Sequence, residues 1–209
     1  MSPTRIEHVV TRGLFSLDGQ DFDVENNVWL VGDDAEVVVV DAAHQAAPIL
    51  DAVAGRRVLA IVSTHGHNDH INAAGELADA TGAPVLLHPA DRMLWDAVHP
   101  HRSPEPLVDG ERIDVAGTGL VVLHTPGHSP GGVCLYAEGL GAVLSGDTLF
   151  RGGPGATGRS FSDFPTLIGS IQARLLGLPA QTRVLTGHGD ETTIGAEAPD
   201  HDAWVTRGH

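Results

Sequence analysis

The chain has 209 residues, 42% hydrophobic and 19% charged, a composition that supports a folded domain with a sizeable core. Its net charge is −15, with 27 acidic residues against 12 basic ones, all arginine. That field, with no basic run and only 4% aromatic residues, excludes a nucleic-acid partner, which needs basic patches to release counterions.

No stretch approaches the roughly 20 apolar residues of a membrane span, so no membrane partner is expected. The start, "MSPTRIEHVVTRG", lacks a charged-then-apolar leader, and Cys134 is the single cysteine. A cytoplasmic location is therefore expected. No repeat or low-complexity linker divides the sequence, which predicts one domain over 1–209.

In chain order, alternation and β-branched content predict strands at 24–31, 36–41, 58–63 and 84–88. Further strands are predicted at 112–115, 119–124, 132–137, 142–146 and 182–186. Helical spacing marks 45–54, 71–81, 89–97 and 166–177. Asp163 or Thr166 is suited to cap the last of these. Strand clusters separated by helices suit sheets covered by helices on their outer faces.

Four of these strands end in polar chemistry. "IVSTHGHNDH" reaches His65, His67, Asp69 and His70, and "LVVLHTPGHSPGG" reaches His128. "AVLSGDTLF" ends at Asp147 and "RVLTGHGD" at His188. Loops at strand ends are where a rigid scaffold presents functional side chains. Imidazole and carboxylate suit zinc, which takes three or four protein ligands. Five histidines and two aspartates are too many for one ion and about right for two. Iron and manganese accept the same donors.

These motifs resemble the metallo-β-lactamase superfamily. "THGHNDH" matches its H-x-H-x-D-H signature, and "HTPGHSPGG", "LSGDTLF" and "TGHGDET" match its later motifs in order. The resemblance runs from about Asn26 to about Glu197. It implies an α+β fold, the four-layer αββα sandwich, with metals between the edges of two sheets. It assigns one divalent ion, most simply zinc, to His65, His67 and His128, and a second to Asp69, His70 and His188, with Asp147 bridging. Asp69 would also orient the attacking water. Asp41, ending "EVVVVD", is the candidate to orient a ligating ring, and Arg151 and Arg159 are candidates to meet an anionic substrate.

Within the superfamily the stretch from "GDTLFRGG" to "GHGDETTIG" is most similar to short bacterial glyoxalase II-like proteins. That likeness implies hydrolysis of thioesters of a small cellular thiol by a metal-bound hydroxide. The segment that holds glutathione in the longer members has no counterpart before residue 209, which leaves the thiol open between glutathione and a substitute such as mycothiol. A persulfide dioxygenase with one iron on His65, His128 and Asp147, or a lactonase, would use nearly the same donors. Cys134, in "GGVCLYA", reads as a core residue, which disfavours a thiolate-using β-lactamase. His44 and His124 receive no role, and oligomeric state is left open.

Overall fold

The computed structural model describes residues 2–208; Met1 and His209 lie outside the described residues. A first sheet is built from β1 (Arg5–Leu17), β2 (Gln20–Gly32), β3 (Glu36–Val40), β4 (Arg57–Val62), β5 (Val85–Leu87) and β6 (Glu105–Pro106), in that spatial order. Its first three strands are antiparallel and its later neighbours parallel. Between them run α1 (Ala46–Val53), α2 (Asn68–Ile71), α3 (Ala74–Thr81) and α4 (Arg92–Val98).

The second sheet contains β7 (Arg112–Val115), β8 (Thr118–His124), β9 (Val133–Ala137) and β10 (Ala142–Gly146). The short pair β11 (Leu149–Phe150) and β12 (Gly153–Pro154) follows, then α5 (Phe164–Arg174). The sheet is completed by β13 (Arg183–Thr186) and β14 (Thr192–Thr193), in the order β14-β13-β10-β9-β8-β7. The chain then forms α6 (Ile194–Glu197) and α7 (His201–Arg207). Among the described residues no helix is long and apolar enough to cross a membrane.

Alternation along β3 shows how the layers arise. Val37 and Val39 point into a core with Ile49 of α1 and Leu77 of α3, while Val38 and Val40 point into a second core with Leu120, Val122, Leu135 and Leu144 of the other sheet. A third core joins Val143 and Val184 to Leu167 and Ile171 of α5 and Trp204 of α7. Helices, sheet, sheet, helices is the expected αββα order. Asp163 caps α5 by accepting the Thr166 N–H at 2.8 Å.

The predicted strands are all present, within a few residues at their ends. Not anticipated were β1, β6, the β11–β12 pair, β14, and the helices after residue 193. The hairpin of β1 and β2 pairs Leu17 with Gln20 across Asp18 and Gly19, both with positive φ (53° and 73°), the backbone of a tight two-residue hairpin turn. Its tip is tied to both sides of the sandwich edge. Ser16 N–H donates to Asn68 Oδ1 (2.8 Å), and Ser160 Oγ donates to Asp18 (2.6 Å).

Candidate metal centre

All seven donors named from the sequence converge at one sheet edge. β4 delivers His65 and His67 and, through α2, Asp69 and His70. The loops after β8, β10 and β13 deliver His128, Asp147 and His188. Three groups of possible ligands have their donor atoms within 4.8 Å of one another: His65, His67 and His128; His65, His70 and Asp147; and Asp69, His70 and His188.

The spacing is that of ligand edges. His67 Nδ1 lies 3.0 Å from His128 Nε2, and His70 Nε2 lies 3.2 Å from His188 Nε2. Asp147 reaches His70 Nε2 at 3.5 Å, His128 Nε2 at 3.5 Å and His188 Nε2 at 3.4 Å. Ligands about 2.1 Å from a tetrahedral ion stand roughly 3.4 Å from each other. The ring nitrogens facing away are held by oxygens. His128 Nδ1 meets Ala156 O (2.8 Å), His188 Nδ1 meets Glu25 O (2.6 Å), and His65 Nδ1 meets Thr64 Oγ1 (3.1 Å). Such partners fix the tautomer and leave Nε2 as the donor to a cation.

Asp41 does for His70 what its sequence position suggests. Its Oδ2 lies 3.0 Å from His70 Nδ1, and its carboxylate also accepts from Thr64 N–H (2.7 Å) and Thr64 Oγ1 (2.8 Å).

A fit to cations can be tested on buried polar atoms. His65 Nε2, His67 Nε2, Asp69 Oδ1 and Asp147 Oδ1 are buried without a hydrogen-bond partner. Each such atom costs about 1–3 kcal/mol if nothing compensates it. Cations among the donors account for His65 Nε2 and Asp147 Oδ1, whereas His67 and Asp69 meet the neighbouring donors through Nδ1 and Oδ2.

Electrostatics divides the donors into two kinds. Burial holds His65 well below the ordinary imidazole range, and burial with neighbouring His128 pushes His67 down to about 3. Both are neutral and ready to donate. Burial also works against charge at His70 and His188. Asp69, Asp147 and Asp41 nevertheless raise His70 well above its usual value, and Asp147 and Asp69 raise His188 to about 10. Against the same burial, His70 and neighbouring donors hold Asp69 at about 2 and Asp147 well below the carboxylate range. Without a cation, protons on the histidines balance the two carboxylates.

Three residues of this centre escaped sequence reasoning. Asp91 is fully buried and accepts from Gly66 N–H (2.8 Å), Ser129 Oγ (2.7 Å) and Gly131 N–H, so one carboxylate joins the His65–His67 loop to the loop carrying His128. Asn26 Nδ2 lies 3.0 Å from Asp69 Oδ2, and His44 Nε2 lies 2.7 Å from Asn26 Oδ1. No motif marks these positions; only "D" in "HPADR" and the polar pair "NN" at a strand start distinguish them.

The arginine candidates have partners other than the seven donors. Arg151 pairs with Asp190 at 3.1 Å on the surface. Arg159 donates to Gln20 Oε1 (3.1 Å) and lies 4.7 Å above the Phe22 ring at the hairpin. Phe15 stands edge-on to His67 (5.4 Å) and Phe150 near His188 (6.3 Å), forming apolar flanks. Cys134 is buried in β9 with its thiol pushed up to about 11 by burial, as a core residue should be.

The chain is similar to proteins of known family. The profile of the Metallo-beta-lactamase superfamily matches residues 22–188. A hydroxyacylglutathione hydrolase of Methylobacillus flagellatus is 38% identical over 191 residues, spanning 88% of this chain and 71% of that protein. Among solved structures, TTHA1623 in a di-iron-bound form superposes with a TM-score of 0.76 at 35% identity, over 83% of this chain and 92% of that one. The BLEG-1 B3 metallo-beta-lactamase gives the same TM-score, 0.76, at 29% identity, over 92% and 97%.

Proposed function

The chain belongs to the metallo-beta-lactamase superfamily as a metal-dependent hydrolase, and on that footing we propose that it cleaves thioesters of a small cellular thiol with a pair of divalent ions. The supporting observation is the position of Asp147, whose carboxylate lies within 3.5 Å of His128, from one donor group, and of His70 and His188, from the other. His65, His67 and His128 would hold one ion, Asp69, His70 and His188 the other, with Asp147 shared. Such ions, when bound, would bring the pKa of a water far below its bulk value, toward about 7, and polarise a carbonyl.

The residues supply the rest. Asp69 is tied through Oδ2 to Asn26, while its Oδ1 has no partner, so Oδ1 is the atom able to orient the water or hold its proton. A thiolate with a pKa of about 8–9 leaves without a dedicated acid, and among the described residues none stands in the cluster beyond the donors themselves. Phe15 and Phe150 shield the flanks from bulk water and offer apolar surface to an acyl group. Zinc is the simplest occupant, though the di-iron form of a relative keeps iron in view.

A dioxygenase using one iron on His65, His128 and Asp147 would give no ligand role to the group Asp69, His70 and His188, whose donor atoms also lie together, which favours hydrolysis. Metal quantification with a screen over thioesters, lactones and persulfides tests the proposal. Two ions per chain and thioester turnover without oxygen uptake are expected. One iron per chain with oxygen consumption would overturn it.

A further inference from the structure

The turn after β3 carries two non-glycine residues in left-handed backbone, Asp41 (φ 58°) and His44 (φ 60°). Such conformations persist only where the surroundings over-determine them. Asp41 is accounted for by its bonds to Thr64 and His70. His44 has its own chain of partners, and their directions follow from a single backbone group.

His44 N–H can only donate, and it donates to Asn72 Oδ1. That fixes the Asn72 amide, so its Nδ2 faces His44 Nδ1 at 3.3 Å as a donor. Nδ1 must accept, which places the ring proton on Nε2. Nε2 then donates to Asn26 Oδ1 at 2.7 Å, and Asn26 is left with Nδ2 toward Asp69 Oδ2 at 3.0 Å. Asn26 is fully buried and has no freedom to turn its amide without breaking both bonds. β1 makes room for the ring, since a Cβ at Gly13 would stand 2.3 Å from His44 Nδ1.

We propose that Asn72, His44 and Asn26 form a directional hydrogen-bond chain that orients the Asp69 carboxylate, so that His44 and Asn26 are positioning residues setting how tightly the second cation is held. This rests on the reading of Asp69, His70 and His188 as that cation's ligands. The first donor group takes no bond from the chain, so the effect is selective between the two ions. Loss of an orienting partner behind a metal ligand typically weakens the ion about 10–100-fold.

The test is stepwise zinc binding by chelator competition on the wild type, His44→Ala, His44→Gln and Asn26→Leu. His44→Gln keeps a donor near the Nε2 position. Expected is wild-type affinity for the first zinc in every variant, with the second weakened about 10–100-fold in His44→Ala and Asn26→Leu and restored in His44→Gln. Equal retention of both ions in all variants, or equal weakening of both, would overturn the proposal. Should the variants not fold, the His44 tautomer of the zinc-loaded wild type, read by long-range proton–nitrogen NMR, decides: Nε2–H supports the chain and Nδ1–H overturns it. A wild type that takes only one zinc counts against the two-cation reading, whereas one that takes two while the variants are unaffected counts against this chain alone.

Discussion

Asp147 Oδ2 stands 3.4 Å from His188 Nε2, joining loops that leave two parallel neighbours, β10 and β13. The same oxygen lies 3.5 Å from His128 Nε2, on a third loop. One carboxylate thus spans both donor groups, and removing it separates them. Asp147→Ala should lower thioester turnover by at least about 100-fold and leave fewer than two ions per chain, checked by kinetics and elemental analysis together.

Metal uptake should release protons. In the unloaded chain His188 has a pKa of about 10, above the free imidazole, because the raising effect of Asp147 and Asp69 exceeds the opposing effect of burial. At about pH 7.5 it therefore carries a proton that a cation must displace, and affinity should rise with pH until the ring is neutral. For the unloaded fold the sign is opposite. The stabilisation from this ion pairing is complete below about 6.5 and is lost as pH climbs through about 10. Calorimetry in buffers of different ionisation enthalpy counts the protons; zinc binding with no proton release would contradict the charge balance described.

Stripping the ions should destabilise the fold. Any ligand of the native state alone adds about 4 kcal/mol when present at 1,000 times its Kd. Chelation should lower the melting temperature, and zinc should restore it. An unchanged melting curve would mean that the unpartnered atoms His65 Nε2 and Asp147 Oδ1 are not compensated by cations.

Asp91→Asn tests the brace between the His65–His67 and His128 loops. The carboxylate accepts from Gly66, Ser129 and Gly131 in a fully buried position, and an amide would set a donor against at least one of these. The expected loss is about 2–4 kcal/mol, seen in denaturant unfolding, with weaker binding at the first donor group. Wild-type stability would show that the brace is dispensable.

Much of this molecule is written in local pattern. β3, with "VVVV", alternates between two cores, and each of the four ligand-bearing loops follows an apolar strand. The donors were legible because histidine and aspartate beside glycine at strand ends have few other reasons to cluster. β1 was not, since its side chains are mostly half-buried or exposed and it lacks an apolar run; the hairpin signal was Asp18-Gly19. Asp91 and Asn26 went unmarked, and His44 was noted without a role, for a different reason. Each acts through a partner distant in sequence, as in the 43 residues between Asn26 and Asp69. For Arg159 the sequence suggested a substrate contact, and the fold gives it the hairpin residues Gln20 and Phe22 as neighbours.

Anomalous diffraction from zinc-loaded crystals addresses the cation pair most directly. Two peaks are predicted, one among His65, His67 and His128 and one among Asp69, His70 and His188, with Asp147 touching both. A single peak, or two that do not share Asp147, would contradict the account.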